Sequence, residues 1–195
     1  AQIKAYRPSS NSICEGQVLS CPYPFAKARL IVQEMAELLS FRLMEKQLAA
    51  QSVTLEIGYD RENVDTGRYH GPTKLDPYGR TLPKPAHGTA RFDAPTNLGS
   101  QIIGSCVKLF AQIADPSLTV RRVTLTANRV ETDQGICQVD LFTDLRKQEK
   151  ERKLQQTMLD IKTRFGKNAV LKASSYEEGA TMRQRNGQIG GHKAE

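Results

Sequence analysis

The segment VRRVTLTANRV at residues 120–130 has the two-residue period of a β-strand with one apolar and one polar face. The apolar and polar positions alternate as Val123, Leu125 and Ala127 against Arg122, Thr124, Thr126 and Asn128. A strand of this kind needs a hydrophobic layer on one side only, so its polar side can stay in contact with solvent. The pattern therefore predicts a sheet with one covered face and one open face.

Three upstream segments predict the other strands of this sheet. Residues 53–60 alternate in the same way, residues 87–93 form a short strand, and residues 12–20 form the first strand. CPYP at residues 21–24 should end that first strand, because prolines cannot donate hydrogen bonds to a ladder. Four strands are therefore expected.

Two segments with apolar residues at three- and four-residue steps predict amphipathic helices. The first runs from Phe25 to about residue 49, and the second follows a cap at Thr96 or Asn97 and ends near Pro116. The order strand, helix, strand, strand, helix, strand predicts an α+β fold, in which both helices pack on one face of a four-stranded sheet.

Residues 61–86 have no sustained periodicity and are rich in proline and glycine, which predicts an extended loop. A hairpin around Tyr78, Gly79 and Arg80 is one form that this loop can take. The loop also carries a set of cations, Arg68, Lys74, Arg80 and Lys84. Charged loops are usually just solvated, so contact with a polyanion and plain solvation both stay open for these residues.

The chain after the last strand is expected to form a linker and a tail. Residues 132–145 read as a polar linker, and residues 146–165 have the spacing of an amphipathic helix. That helix either docks on a folded domain or is loose without a partner, because isolated helices of this length are marginal in water. From Lys167 onward, glycines and few apolar residues predict a mobile, partly disordered end. The expected organisation is a domain at 1–131, the linker, and a tail at 146–195.

Composition narrows the class of protein. The net charge of +7 and pI of about 9.3 favour polyanionic partners, and residues 143–195 alone hold 12 basic and 7 acidic residues. No apolar run is long enough to cross a membrane, and the first residues do not resemble a signal peptide, so we expect a cytoplasmic protein without a membrane partner. The cysteines, which have no CxxC spacing, and the three histidines predict no metal site.

The polar side of the predicted sheet is a candidate nucleic-acid surface, because guanidinium and hydroxyl groups bind phosphate oxygens. Its candidate contacts are Ser10, Asn11, Ser12, Arg91, Arg122, Thr124 and Asn128. The order of elements alone equally allows a free-standing ferredoxin-like RNA-binding or ligand-binding module, or a small enzyme. An RNA-binding module would need aromatic side chains exposed on the open strands, and an enzyme would need a tight phosphate-binding loop.

Several stretches together resemble the ImpB/MucB/SamB group of bacterial Y-family translesion DNA polymerases. They are SNSICEGQVLSCPYPFAKARLIVQEM at 10–35, AHGTARFDAPTN at 86–97, VRRVTLTANRV at 120–130, QVDLF at 138–142, QQTMLDIKTRFGKNAVLKASS at 155–175 and NGQIGGHK at 186–193. The resemblance implies a little-finger domain that holds duplex primer–template DNA by its backbone. It also implies that the catalytic carboxylates and Mg²⁺ belong to a palm preceding Ala1. This chain alone is therefore expected to have no catalytic residue, metal or cofactor and not to polymerise DNA.

The stretch QVDLF resembles the Gln-x-x-Leu-Phe peptide with which bacterial polymerases bind the sliding clamp. In that interpretation Leu141 and Phe142 are apolar anchors, and Gln138 fixes the register through amide hydrogen bonds. The alternative is that the two apolar side chains pack back on the domain. The position of the peptide in a polar linker favours clamp binding.

Overall fold

The computed structural model describes residues 11–67, 69–135, 145–189 and 192–193. The helices and strands follow in chain order: β1 (Ser12–Tyr23), α1 (Phe25–Glu45), β2 (Leu48–Tyr59), α2 (Glu62–Asp65), β3 (Thr73–Leu75), β4 (Thr81–Pro83), β5 (Ala86–Thr96), α3 (Gly99–Ile113), β6 (Val120–Thr132), α4 (Leu145–Phe165), a 3₁₀ turn (Ala173–Tyr176), α5 (Met182–Asn186), β7 (Gln188–Ile189) and β8 (His192–Lys193). None of the helices in the described ranges is long and apolar enough to cross a membrane.

The four long strands form one antiparallel sheet in the order β1-β6-β2-β5, and α1 and α3 cover one of its faces. The core lies between sheet and helices, where Leu55 and Leu125 of the strands meet Met35 of α1 and Phe110 of α3 in one buried cluster. The predicted α+β fold, with a four-stranded sheet and two helices on one face, is confirmed.

The first strand is longer than predicted, because β1 continues through Pro22 to Tyr23. Two features allow the proline there. β1 lies at the edge of the sheet, and its pairing with β6 is irregular between Val18 and Tyr23. A proline in such a place removes no hydrogen bond that a central strand would need. The expected break at residues 21–24 was therefore wrong.

The first helix is shorter than predicted and β2 is longer. α1 ends at Glu45, and Gln47 adopts a left-handed conformation with φ of 54° that turns the chain back toward the sheet. β2 then begins at Leu48, where it pairs with Thr132 of β6. The run of small apolar residues that follows Gln47 suits a helix and a buried strand equally, so periodicity alone could not place this boundary.

The hairpin expected in the loop at 61–86 is confirmed as the pair β3–β4. Asp76 holds its turn, because one carboxylate oxygen accepts the backbone N–H groups of Tyr78 and Arg80, both at 2.9 Å. The other oxygen accepts the Arg80 Nε–H at 2.6 Å. This loop cation is thus engaged in an ion pair with its own turn.

The charged helix α4 docks on the sheet domain, and its docking supplies the cap of α3. The backbone N–H groups of Gly99 and Ser100 donate to Gln155 Oε1 at 2.9 Å and to Glu151 Oε1 at 2.7 Å. The Gln155 amide also donates to the Asn97 carbonyl oxygen at 3.0 Å. These bonds satisfy N–H groups that a helix start leaves without intrahelical partners. The interpretation of this segment as a docked helix is the one that the structure supports.

The predicted caps contribute less than expected. The Thr96 hydroxyl accepts the N–H of Leu98 at 3.1 Å, one residue before the helix. The Asn97 side chain donates instead to the carbonyl of Leu48 and to Asp133, and so ties α3 to the ends of β2 and β6. A cap contributed by a helix more than 50 residues away leaves no local sequence signature.

The segment around Thr181–Arg185 lies in the end that was expected to be mobile, but it packs against α1 and β1. Met182 is buried, and the buried carboxylate of Glu34 accepts the N–H groups of Thr181 at 2.8 Å and Met182 at 3.1 Å. Arg185 donates to Gln17 Oε1 at 3.1 Å. The segment is held mainly by polar contacts, which apolar periodicity does not reveal.

Candidate nucleic-acid interface

The face of the sheet opposite the helices is called the open face here, and its side chains lie in rows across the strands. In the strand order β1, β6, β2, β5, the first row is Ser12, Asn128, Ser52 and Arg91, and the second is Cys14, Thr126, Thr54 and Thr89. The third row is Gly16, Thr124, Glu56 and His87. The fourth row is Val18, Arg122 and Gly58. Each strand thus contributes alternate residues, as the period of two requires. Hydroxyl, amide and guanidinium groups of all four strands share one surface.

Arg122 is exposed in the row where its neighbour on β2 is a glycine. A Cβ atom at Gly58 would lie 3.1 Å from the Arg122 Cβ, closer than ordinary van der Waals contact. The missing side chain therefore leaves room for the arginine on the open face. On its other side Arg122 pairs with Val18 of β1, which is 68% exposed.

A hydrogen-bonded chain of side chains crosses the open face from β6 to β5. The Asn128 amide donates to Thr54 Oγ1 at 2.9 Å, and the hydroxyls of Thr54 and Thr89 lie 2.8 Å apart. Each of these side chains is fixed by its neighbour, so the polar groups are held in place before any ligand arrives. Preorganised groups lose less conformational entropy when they bind.

The middle of the open face is less basic than its ends. Glu56 lies beside Thr124 on one side and His87 on the other, and both Glu56 and His87 are exposed. The Thr124 hydroxyl is buried and has no hydrogen-bond partner among the described residues. Positive charge on this face therefore belongs to its two ends, where Arg91 and Arg122 lie.

The structure places the predicted contacts unequally. Arg91, Arg122, Asn11 and Ser12 are exposed, whereas Thr124 does not present its hydroxyl to solvent. Asn128 is half-buried and takes part in the hydrogen-bonded chain. Some predicted residues lie outside the described ranges, namely Ser10, the loop cation Arg68, and the clamp residues Gln138, Leu141 and Phe142.

Comparison with known proteins identifies the fold that carries this surface. Residues 11–141 match the family described as the impB/mucB/samB family C-terminal domain. The chain belongs to this family. The Y-family relationship that the sequence stretches implied is thereby confirmed, and the open face is a surface of an impB/mucB/samB C-terminal domain.

Two further comparisons place the impB/mucB/samB domain among known proteins. The chain is 28% identical over 166 residues to the putative UV-damage repair protein UvrX of Bacillus subtilis strain 168, a match over 85% of this chain and 35% of the relative. The chain thus spans about a third of the length of that relative. A solved complex of the beta-clamp processivity factor and the little finger domain of PolIV matches with a TM-score of 0.41 and 12% identity, over 68% of this chain and 100% of the other.

Sequence reasoning missed several residues of the impB/mucB/samB open face. Thr54 and Thr89 could have been found, because the alternation at 53–60 and 87–93 already assigns them to the polar side. Arg129 could not, because strict alternation assigns it to the covered face. In the structure Arg129 has φ of 49° and is exposed. Ala127, two residues before it, and Val130, directly after it, are buried.

Proposed function

We propose that this impB/mucB/samB domain grips duplex primer–template DNA by its backbone, without reading sequence, as part of a translesion polymerase in DNA-damage tolerance. The observation that carries the proposal is the open face, where donors from all four strands remain uncovered while both helices lie on the other side. Such groups bind phosphate oxygens and do not distinguish one base from another. An enzyme that copies damaged templates needs a grip of this kind.

The dimensions of the sheet fit this role. Three strand spacings of about 4.8 Å give a width of about 14 Å, comparable with the roughly 12 Å major groove of B-DNA. Ser12 and Arg91 lie on the two edge strands, so they face opposite margins of such a groove. Phosphates on both groove walls are then within reach of one sheet.

The test is a titration of labelled duplex DNA with the chain at several salt concentrations. If three to five phosphates are neutralised, log K falls with log salt at a slope of roughly −3 to −4.5. Arg122→Gln should weaken binding equally for unrelated sequences, whereas Arg29→Gln removes the same charge from an exposed position on α1 and should change little. A salt-independent affinity, or a strong preference for one sequence, would contradict the grip.

The RNA-binding alternative needs aromatic rings for stacking on the open strands. The exposed aromatic side chains among the described residues are Tyr78 in the β3–β4 turn, Phe165 at the end of α4 and Tyr176 in the 3₁₀ turn. None of them belongs to a strand of the sheet. This distribution favours duplex binding over base stacking.

We further propose that the peptide Gln138–Phe142 recruits a bacterial sliding clamp. The support is its sequence and its position between β6 and α4, both of which are fixed to the domain. A short peptide with two apolar anchors should bind with a Kd of about 1 μM. Each anchor contributes roughly 1.5–3 kcal/mol when buried, so the double change Leu141→Ala, Phe142→Ala should weaken clamp binding far more than tenfold.

Titration of a purified bacterial clamp into both chains measures this, with thermal melting and DNA binding as controls. DNA affinity should be unchanged in the double variant. Unchanged clamp binding with a lower melting temperature would show that the two side chains pack into the domain, and would leave only the DNA grip.

Nucleotide transfer is assigned to the other parts of such a polymerase, as the family resemblance implies. Primer extension by this chain with Mg²⁺ should therefore stay at background. Incorporation that survives repurification would overturn this division of labour.

A further inference from the structure

A cavity of about 410 Å³ opens at the Ser52 end of the open face. It forms where β5 leaves the ladder, because Ser52 pairs with Arg91 and Ala50 with Thr96, so that Phe92–Pro95 bulge outward against Gln51 alone. The lining includes two arginines, one acid and a set of hydroxyl and amide groups: Arg91, Arg129, Asp93, Ser52, Thr54, Thr89 and Asn128. Bulges of this kind often redirect side chains at functional sites. We call this pocket the Arg91–Arg129 cavity.

The two arginines of the Arg91–Arg129 cavity have no charge partner among the residues that the structure describes. The side chains of Arg91 and Arg129 form no ion pair or hydrogen bond with any residue in the described ranges. Asp93 is the only acid among the lining residues, and it is exposed. Two guanidinium groups at one cavity repel each other until an anion lies between them. The arrangement therefore favours a ligand with negative charge.

The backbone of Arg129 is held in a conformation that residues other than glycine rarely adopt. Its φ of 49° lies in the left-handed region, where residues with a Cβ atom are strained. This conformation turns the arginine to the open side although Ala127 and Val130 remain in the core. Local strain of this kind is concentrated at binding and catalytic sites. The chain thus maintains an unfavourable backbone angle where it presents a cation to the cavity.

The polar wall of the cavity ends in a spare donor. The Asn128 amide donates to Thr54, and the Thr54 and Thr89 hydroxyls share one hydrogen bond. Each hydroxyl has one hydrogen, so this bond uses one hydrogen and leaves the other free for a ligand, whichever way it runs. A ligand that only accepts hydrogen bonds, such as a phosphate diester, satisfies this donor.

We propose that the Arg91–Arg129 cavity binds a single phosphate of the nucleic-acid backbone, which both guanidinium groups share. The inference rests on the proposed DNA grip and specifies one subsite within it. Arg122, at the far end of the open face, contacts a different phosphate. The proposed grip therefore has at least two phosphate contacts.

Salt dependence of duplex binding tests whether one phosphate is shared. The variants are Arg91→Gln, Arg129→Gln and the double variant, with Arg29→Gln on α1 as the charge-matched control. Each neutralised phosphate contributes about 0.9 to the slope of log K against log salt. For one shared phosphate the double variant loses about 0.9 in slope, and each single variant loses less. A loss of about 1.8 in the double variant means two separate phosphates and overturns the sharing.

The control separates this subsite from the DNA grip as a whole. If the wild-type chain binds no duplex, the grip itself fails. If the wild-type chain binds but the double variant keeps its full slope, only the subsite fails.

Arg129→Gly gives a second test in which stability and binding should move in opposite directions. Glycine adopts positive φ without strain, so the variant should melt at a higher temperature than the wild type while it binds duplex more weakly. Asp93→Asn removes the acid of the cavity and should raise the affinity. Weaker binding by Asp93→Asn would contradict an anion in this cavity. A melting temperature and an affinity that fall together in Arg129→Gly would assign Arg129 a structural role only.

Discussion

The covered face and the open face belong to the same four strands, and they hold their side chains in different ways. On the covered face Val53, Leu55 and Ile57 are fully buried against the helices. On the open face lie the residues between them in sequence: Thr54, which bonds to Thr89 and Asn128 on the neighbouring strands, and Glu56, which is exposed. Stability is therefore concentrated on one side of each strand, and the other side is free to specialise in binding. Substitutions that separate the two faces can test this division.

The largest effect is expected in the centre of the covered face. Leu55→Ala removes a fully buried side chain of β2 and leaves a cavity, which should lower the free energy of unfolding by about 2–5 kcal/mol. Leu154→Ala makes the same change at a side chain of α4 that is 61% exposed, and should cost less than about 0.5 kcal/mol. Urea denaturation measures both. Comparable losses in the two variants would show that burial does not set the stability of this fold.

Two glycines provide a matched pair across the sheet. A Cβ atom at Gly88 of β5 would lie 2.9 Å from side-chain atoms of Leu109 and Ile113 in α3, whereas a Cβ atom at Gly16 of β1 would meet nothing within 4 Å. Gly88→Ala should therefore destabilise the domain by about 1–3 kcal/mol through overpacking. Gly16→Ala should be close to neutral, because the open face has space. Thermal melts of both variants decide this, and a greater loss at Gly16 would reverse the assignment of the faces.

The start of α3, one of the two helices on the covered face, depends on polar contacts from α4. Gln155→Ala leaves the N–H of Gly99 buried without its acceptor, which should cost about 1–3 kcal/mol. Gln156→Ala changes the neighbouring exposed residue, whose side chain donates to Asp160 of the same helix, and should have a much smaller effect. Chemical denaturation compares them. Equal stabilities for the two variants would mean that α4 does not cap α3.

Periodicity in the sequence was sufficient for both faces and for the helices that cover one of them. Alternation assigned Val123 and Leu125 inward and Arg122 outward, and the structure agrees. Patterns of this kind are readable because burial repeats along a strand. The rule that proline ends a strand was wrong at Pro22, which lies on an edge strand. Periodicity gave no sign of Arg129, whose left-handed backbone interrupts the alternation.

The attachment of the C-terminal part could not be predicted for a different reason. Gln155 caps a helix distant in sequence, and Glu34 accepts backbone N–H groups from the segment around Met182. Such contacts join one side chain to the backbone of another segment, so they produce no repeating pattern. Only the fold brings the partners together.

The last comparison of the two faces measures the reactivity of their cysteines, and it needs no change in stability. Burial raises the pKa of the Cys106 thiol on α3 to about 12, so almost no thiolate exists there at neutral pH. Cys14 lies on the open face and is exposed. In a chain with Cys21→Ser and Cys137→Ser, a maleimide should label Cys14 in the native state and leave Cys106 unlabelled. Both should react in denaturant, which serves as the control.

Duplex DNA extends this measurement to the function of the open face. Cys14 shares a row with Thr126, Thr54 and Thr89, so a bound duplex should cover it and slow its labelling. Slower labelling should disappear at high salt, because the proposed grip is electrostatic. Labelled chain should in turn bind duplex weakly, since a maleimide adduct occupies the same surface. If DNA binds with full affinity and Cys14 reacts at its free rate, the duplex lies elsewhere and the open face is not the grip.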